Sequence, residues 1–310
     1  MAMISEFVDG ERVSGQFLVG NVTKGTNNFG SNYMSIELRD ASGSIPAKKW
    51  DSKDEDEALF VIGNVVYIEG DVLKYKDALQ IKILTSKGVS LDDVDVTKFI
   101  KAPPIPLAEL WRRFNGYVSS VQNPDCQKIL AYFVDKYHKK LQVYPAGVSV
   151  HHEYASGLLV HITSMAKIAD FLAPLYDDVD RDILMTGVLL HDLGKLQELE
   201  GPVVYHYTLE GKLLGHISLM VSEIRKIAEQ EKMTSEVPLL LEHMVLSHHG
   251  EPEFGSPVPP LTKEAILLSL IDNLDSKMVI TCKALETVRP GEFSSRIFPL
   301  DGRMLYKPLK

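Results

Sequence analysis

Histidine and aspartate residues that could bind metal ions are concentrated in one part of the 310-residue sequence. Nine of the ten histidines lie between positions 151 and 249. The candidate ligands are, in chain order, His161, His191, Asp192, His216, His248, His249 and Asp272. Imidazoles and carboxylates without thiolates suit Mn, Fe, Co, Ni or Zn, and the residue types do not choose among these ions.

The number of candidate ligands favours two metal ions over one. Seven ligands exceed what a single tetrahedral or octahedral site takes from a protein, and a carboxylate such as Asp192 can bridge two ions. Two cations about 3.5–4 Å apart stabilise the attacking and leaving oxygens in phosphoester hydrolysis. Each histidine taken alone would be an ordinary core or surface residue. The prediction of a metal-dependent hydrolase therefore rests on the seven candidate ligands together and on their order along the chain.

Predicted helices must bring these residues together. Apolar residues recur every three to four positions in residues 107–117, 123–139, 156–172, 181–192, 213–230, 235–247 and 262–284, which predicts a mostly helical region. His191 and Asp192 end an apolar run, where two neighbouring side chains can turn toward one cavity. Asp272 follows another apolar run, and a carboxylate buried there needs a partner because an unpaired buried charge is costly.

The first part of the chain has a different pattern. Residues 16–22, 33–39, 44–50, 65–73 and 78–83 alternate or are β-branched, and Gly, Asn and Asp separate them. Five short strands suggest a small barrel of the OB type, although a small sandwich would produce a similar pattern. Residues 101–106 contain three prolines and predict a stiff linker. We therefore expect two domains, residues 1–100 and 101–310.

Composition narrows the class of protein. A net charge of −9 excludes a bulk polycation, and 45% hydrophobic with 24% charged residues is typical of a globular protein. The two cysteines, Cys126 and Cys282, are far apart, which excludes a disulfide framework and a thiolate zinc finger. Their small number fits a reducing cytoplasm. Because no window approaches eighteen uninterrupted apolar residues, we expect no membrane partner.

The ordered ligands and the run His191-Asp-Leu-Gly-Lys195 resemble the HD-domain metal-dependent phosphohydrolases. Together with the barrel, the linker and the segments 151–161 and 207–216, they make nearly the whole chain similar to the YhaM family of 3′→5′ exoribonucleases. This resemblance implies an OB-like barrel followed by an all-α HD-domain bundle. It also implies a cytoplasmic homo-oligomer that hydrolyses single-stranded RNA to nucleoside 5′-monophosphates, with two divalent cations and Mn expected first.

The resemblance also implies roles for individual residues. The first metal would be held by His161, His191, Asp192 and Asp272, and the second by Asp192, His216, His248 and His249. Asp192 and Lys195 would be the catalytic residues, with Lys195 beside the scissile phosphate. His152 would contact substrate. Whether His152 and His249 are ligands or substrate contacts stays open, as does activity on single-stranded DNA.

Aromatic and basic residues of the predicted barrel are candidates for binding RNA. Phe17, Tyr33, Trp50 and Tyr75 could stack on unpaired bases, with Lys48 near them for phosphates. Some of these aromatic residues could equally belong to the barrel core. Near the C-terminal end, Arg296 and Arg303 could reach RNA or a neighbouring subunit.

Two other functions are weighed against the exoribonuclease. An HD phosphodiesterase or nucleotidase could act on a cyclic dinucleotide or mononucleotide, but a small substrate needs no strand-binding barrel. A non-catalytic RNA-binding protein could carry a relic HD domain. That is harder to reconcile with a sequence that keeps every ligand position.

Overall fold

The computed structural model describes residues 3–27, 30–76, 78–90, 98–99, 103, 105–145, 155–201 and 205–309. The chain divides into two compact units. One contains Met1–Ala102 with Gly201–His206, and the other contains Pro103–Glu200 with Tyr207–Lys310. The predicted boundary after residue 100 and three of the six residues of the predicted linker, 101, 102 and 104, lie outside the described residues.

The first unit is a closed five-stranded barrel. Its strands are β1 (Arg12–Thr26), β2 (Asn32–Asp40), β3 (Gly43–Trp50), β4 (Val65–Tyr75) and β5 (Ala78–Val89). They follow each other around the barrel in the order β1-β2-β3-β5-β4, with β3 and β5 parallel and the other neighbours antiparallel. This order is that of the OB fold, so the predicted OB-like barrel is confirmed. Each predicted strand lies within an observed one.

The barrel interior is filled by apolar side chains that alternate along the strands. Residues such as Ile36, Leu38, Ile68 and Ile81 form this core. Phe17 also belongs to it and is only 3% exposed. The prediction that Phe17 could stack on RNA bases is therefore wrong, because its position in β1 directs the ring inward.

A short helix, α1 (Asp54–Leu59), connects β3 and β4 and has no counterpart among the predicted elements. Four of its six residues are acidic, and none is buried. It therefore has no apolar face that a periodicity search could detect.

The second unit is a helical bundle, as predicted for the HD domain. Its helices are α2 (Leu107–Ser120), α3 (Pro124–Leu141), α4 (Gly157–Leu172), α5 (Arg181–Leu190), α6 (Lys195–Glu198), α7 (Leu209–Gln230), α8 (Val237–Ser247) and α9 (Lys263–Glu286). Two short strands, β6 (Leu199–Glu200) and β7 (His206–Tyr207), lie between α6 and α7 in the sequence. Side chains of Asn123, Asp180, Thr208 and Thr262 cap α3, α5, α7 and α9 by accepting hydrogen bonds from first-turn amides.

Helix α7 differs from its prediction in two respects. It begins at Leu209, four residues before the predicted start, and Gly215 breaks its regular path. Gly215 has φ 71° and ψ 159°, a backbone conformation that residues with a Cβ rarely adopt. The helix therefore consists of two parts that meet just before His216.

Helix α4, which contains His161, is both long and apolar. The stretch Gly157–Leu175 is long and apolar enough to cross a membrane by length and composition, the one such helix among the described residues. Ten residues of helix α4 itself are buried in the bundle, His161 among them. Core helices of bundles pass the same test, so this stretch is weak support for a membrane span.

Candidate metal centre

His161 lies in the first turns of α4, between two aspartates of α9. Its Nε2 atom is 3.3 Å from Oδ1 of Asp272, and its Nδ1 atom is 2.8 Å from Oδ2 of Asp275. Burial by itself lowers the pKa of His161, but the hydrogen bonds to Asp272 and Asp275 outweigh it and raise that pKa to about 9. Both nitrogens of this imidazole therefore face carboxylates.

His191 and His248 occupy equivalent positions at the ends of two helices. Each directly follows the last residue of its helix, α5 or α8, and its Nδ1 atom lies 2.8 or 2.7 Å from the carbonyl oxygen of Val188 or Val245, three residues earlier. The last carbonyls of a helix have no intrahelical partner and can accept this bond. Because Nδ1 is thereby the donor, the lone pair of each imidazole lies on Nε2. Burial lowers the pKa of both histidines and favours this neutral form.

One oxygen of the Asp192 carboxylate faces the first group of candidate ligands. Asp192 Oδ2 lies 3.8 Å from Nε2 of His161 and 3.5 Å from Nε2 of His191. The same oxygen accepts a hydrogen bond of 2.7 Å from Nζ of Lys195. Burial raises the pKa of Asp192, but the Lys195 ammonium and the surrounding imidazoles outweigh it and hold that pKa well below its ordinary value.

The other oxygen of Asp192 faces the second group. Oδ1 lies 3.5 Å from Nε2 of His216 and 3.7 Å from Nε2 of His248. The ring of His249 is 4.0 Å from that of His248 and 5.6 Å from that of His216, measured between ring centroids. Burial lowers the pKa of His249. Asp192 thus stands between two sets of imidazoles, one on each carboxylate oxygen.

The break in α7 places His216 in this pocket. Because Gly215 interrupts the helix, the backbone N–H of His216 is free to donate to Oε1 of Glu198, at 3.1 Å. The same Glu198 oxygen lies 3.3 Å from Nδ1 of His216. Glu198 therefore holds both the backbone and the ring of His216, and leaves the Nε2 atom facing Asp192.

Several buried polar atoms of the pocket point into shared space. The following have no hydrogen-bond partner among the residues that the structure describes: Nε2 of His191, His216 and His248, Nδ1 of His249 and Oδ1 of Asp192. A buried polar atom without a partner is costly. Several lone pairs that converge on the same space can instead bind a cation. The ligand atoms of His161, His191 and Asp192 lie within 4.8 Å of one another, as do those of His216, His248 and His249. The residues present therefore fit a divalent metal site.

Comparison with known proteins identifies the family of this chain. The HD-domain family model matches residues 158–277. The 3′-5′ exoribonuclease YhaM of Bacillus subtilis (strain 168) is 44% identical over 300 residues, which cover 96% of each chain. The corresponding protein of Geobacillus sp. (strain WCH70) is 45% identical over 304 residues, covering 97% of this chain and 93% of its own. The chain belongs to the YhaM family. The resemblance inferred from the sequence is confirmed.

Two solved structures resemble the barrel of this YhaM-family chain. The second OB-fold domain of replication protein A from Methanococcus maripaludis is 18% identical, with a TM-score of 0.24, and covers 29% of this chain and 94% of its own. A replication protein A heterotrimer bound to ssDNA is 13% identical, with a TM-score of 0.22, and the match covers 28% of this chain and 64% of that chain. The OB-like assignment made above rests on the strand order of the barrel itself.

All seven candidate ligands and Lys195 of this YhaM-family protein meet in one pocket of the second unit. Their roles as ligands and as catalytic residues stay predictions. His152 lies outside the described residues. Arg296 and Arg303 are both exposed, and Arg303 donates to Asp301 at 3.0 Å.

Three of the barrel residues predicted to contact RNA lie close to one another. Trp50 is 43% exposed and Tyr75 is 61% exposed. The Trp50 ring lies 5.3 Å from that of Tyr33, and Lys48 Nζ lies 4.3 Å from the Tyr33 ring centroid. Lys48 also donates to Ser35 Oγ at 2.5 Å. Trp50, Tyr33 and Lys48 therefore form one aromatic and basic group.

Two acidic residues of the pocket have no place in the predicted ligand set. Glu198 contacts His216, and Asp275 contacts His161. Asp275 had a detectable signal, because it lies one helical turn after Asp272 in the same helix. Glu198 had none, since its contact with His216 depends on the break in α7.

Proposed function

We propose that the protein is a metal-dependent 3′→5′ exoribonuclease that hydrolyses single-stranded RNA to nucleoside 5′-monophosphates. The observation that carries the proposal is the position of Asp192, whose two carboxylate oxygens face different groups of imidazole nitrogens. A carboxylate between two cations is suited to two-metal phosphoester hydrolysis. The curated relatives are named 3′-5′ exoribonucleases, which supports the RNA substrate and the direction of attack.

Two sets of residues would hold the cations. In this proposal His161, His191, Asp192 and Asp272 hold one, and Asp192, His216, His248 and His249 hold the other. When bound, the cations would supply a water-derived nucleophile at neutral pH and stabilise negative charge on the phosphodiester oxygens. We propose Mn²⁺ as the first candidate, and Fe, Co, Ni and Zn suit the same ligand types.

The protein's own groups prepare the pocket for an anionic substrate. Burial favours the neutral imidazoles of His191 and His248, whose lone pairs are then available. Burial lowers the pKa of Lys195, but its contact with Asp192 outweighs this and raises that pKa, so the side chain stays an ammonium. In the proposed reaction Lys195 neutralises a non-bridging oxygen of the scissile phosphate.

We propose that the barrel binds the RNA strand. Trp50 and Tyr75 present large exposed ring surfaces on which bases can stack, and Lys48 and Lys76 lie beside aromatic rings of the barrel. Stacking on aromatic rings tolerates any base sequence, which suits an exonuclease that meets each base in turn. Arg296 and Arg303 are further proposed contacts, either with RNA or with a neighbouring subunit.

A cytoplasmic location and a homo-oligomeric state complete the proposal. Cys126 and Cys282 are both free thiols, which supports a reducing compartment.

The proposal is tested with one RNA labelled at either end. Purified full-length protein is incubated with 3′-labelled and with 5′-labelled single-stranded RNA in Mn²⁺ or in a chelator. We expect immediate release of labelled nucleoside 5′-monophosphate from the 3′-labelled strand, and gradual shortening of the 5′-labelled strand. Chelator should stop both. Endonucleolytic fragments, or hydrolysis of a cyclic dinucleotide but not of RNA, would contradict the exoribonuclease.

Two substitutions connect this activity to the pocket. Asp192→Asn keeps the side-chain size but removes the charge that faces both imidazole groups, and we expect no detectable RNA hydrolysis. Asp178→Asn is the matched control, because the Asp178 side chain is 88% exposed and contacts Lys263 at 3.6 Å. It should hydrolyse RNA at the wild-type rate. Full activity of the Asp192 variant would overturn the assignment.

A further inference from the structure

A third aspartate, Asp275, contacts His161 on the side away from the other candidate ligands. Asp275 is 6% exposed. Its Oδ2 atom lies 2.8 Å from Nδ1 of His161, and its Oδ1 atom accepts a hydrogen bond of 2.5 Å from Ser164 Oγ. We propose that Asp275, oriented by Ser164, is a positioning residue that keeps the proton of His161 on Nδ1 and thereby directs the Nε2 lone pair to a metal ion. This inference rests on the metal site of the proposed function.

The need for such a residue follows from where His161 lies in its helix. His191 and His248 follow the last residues of their helices, so carbonyl oxygens without intrahelical partners can hold their Nδ1 atoms. His161 is the fifth residue of the sixteen-residue helix α4, where the carbonyls of the preceding turn are engaged in the helix. Its Nδ1 atom therefore needs an acceptor from another element, and α9 provides Asp275.

The two aspartates of α9 contact opposite sides of one imidazole. Asp272 approaches Nε2 of His161, the atom that also faces Asp192, whereas Asp275 approaches Nδ1. Because they are three residues apart, both lie on the same side of α9. The two aspartates therefore have different roles. Asp272 is placed to bind a metal together with Nε2 of His161, and Asp275 is placed to orient the ring.

Ser164 makes the orientation of Asp275 more definite. It lies three residues after His161, on the same side of α4, and donates to the Asp275 oxygen that does not contact the ring. A carboxylate held at both oxygens has little freedom to rotate toward the metal. A carboxylate that accepts the ring N–H of a metal-binding histidine also increases the basicity of that ligand. Loss of such a carboxylate typically costs ~10- to 100-fold in metal affinity or activity.

The test measures Mn²⁺ binding by the full-length, chelator-treated protein, using calorimetry and the electron paramagnetic resonance signal of free Mn²⁺. The variants are Asp275→Asn, Ser164→Ala, His161→Ala and the double variant of positions 161 and 275, with Asp178→Asn as control. We expect Asp275→Asn to weaken one Mn²⁺ site by ~10- to 100-fold without changing the number of ions bound at saturation. Ser164→Ala should weaken it a few-fold, and the control should not change.

The double variant separates positioning from direct ligation. If Asp275 acts through His161, removing its charge in the His161→Ala background should cause no further loss of Mn²⁺ affinity. ¹⁵N NMR of the Zn²⁺-loaded protein adds a spectroscopic readout: the Nδ1–H signal of His161, assigned by its absence in His161→Ala, should shift in Asp275→Asn.

Several results would overturn the inference. Wild-type Mn²⁺ affinity in Asp275→Asn would do so, and so would an added loss in the His161→Ala background, which would make Asp275 a ligand. If circular dichroism shows that Asp275→Asn does not fold, the Ser164→Ala variant provides the test. An unchanged Mn²⁺ affinity in that variant contradicts the inference. A wild-type protein that binds Mn²⁺ but leaves RNA intact would refute only the exoribonuclease, whereas one that binds no divalent ion would refute both.

Discussion

A Cβ atom at position 194 would lie 2.1 Å from the carbonyl oxygen of His216. The turn that follows His191 and Asp192 therefore packs directly on the backbone of α7. This close approach is what allows Asp192 on one side and His216 on the other to face each other at 3.5 Å.

Gly194→Ala should separate these two elements. Since the nearest atoms are backbone atoms that cannot rotate away, we expect the free energy of unfolding to fall by ~1–3 kcal/mol. We also expect Mn²⁺-dependent RNA hydrolysis to fall at least tenfold. Denaturant titration and the end-labelled RNA assay measure the two effects.

Gly116→Ala is the control for this substitution. Gly116 lies on the exposed surface of α2, and a Cβ there would meet nothing within 4 Å. Alanine is the better helix former, so this variant should be up to ~1 kcal/mol more stable with unchanged activity. A Gly194 variant that behaves like the Gly116 variant would show that the close packing does not support the site.

Gly215→Ala should affect the metal site through the backbone alone. A Cβ at Gly215 has space, with its nearest neighbour Glu198 Oε1 at 4.0 Å, but φ of 71° strains a residue that carries one. Such strain costs ~1–3 kcal/mol, and relief of it would straighten α7 and move His216 away from Glu198. We expect weaker Mn²⁺ binding measured by calorimetry.

Gly10→Ala is the control for Gly215→Ala, because Gly10 also has a positive φ but lies in the other unit. Gly10 has φ of 84° and open space around its Cβ position, and it belongs to the barrel unit. It should lower stability to a similar degree and leave Mn²⁺ affinity unchanged. Equal loss of Mn²⁺ affinity in both variants would mean that the break at Gly215 has no specific role.

Trp50→Ala should weaken RNA binding by the barrel. Loss of a stacked base costs ~1–3 kcal/mol, or ~5- to 150-fold in Kd. Fluorescence anisotropy of a labelled single strand in chelator measures binding without hydrolysis. Leu73→Ala removes an apolar barrel side chain of nearly equal exposure, 45%, and should leave Kd unchanged. Equal effects of both substitutions would exclude Trp50 as a stacking surface.

The two thiols should differ in reactivity. Burial raises the pKa of the Cys126 thiol to about 11, so it stays protonated at pH 8, far below that pKa, and solvent does not reach it. Cys282 is exposed. Ellman's reagent at pH 8 should therefore modify one thiol per native chain and two per unfolded chain, and Cys282→Ser should abolish the native reaction. Rapid modification of two thiols in the native protein would contradict the buried position of Cys126.

Much of this molecule's architecture follows from local patterns in the sequence. The strands of the barrel and the helices of the bundle follow from the period of their apolar residues, because one face of each must be buried. The candidate ligands stand out for a similar reason, since imidazoles and carboxylates at the ends of apolar runs need partners. Local patterns alone therefore predict a small barrel or sandwich followed by a helical region, and they single out Asp192 together with the six other candidate ligands that meet around it.

Other features depend on contacts between distant residues. Alternation cannot say which aromatic residue of a strand faces inward, so Phe17 and Trp50 look alike until the barrel closes. The pairing of Asp275 with His161 joins positions 114 residues apart, and that of Glu198 with His216 requires the break at Gly215. Packing in three dimensions decides these cases, because a hydrogen bond depends on the distance and direction between atoms, which spacing along the chain does not contain.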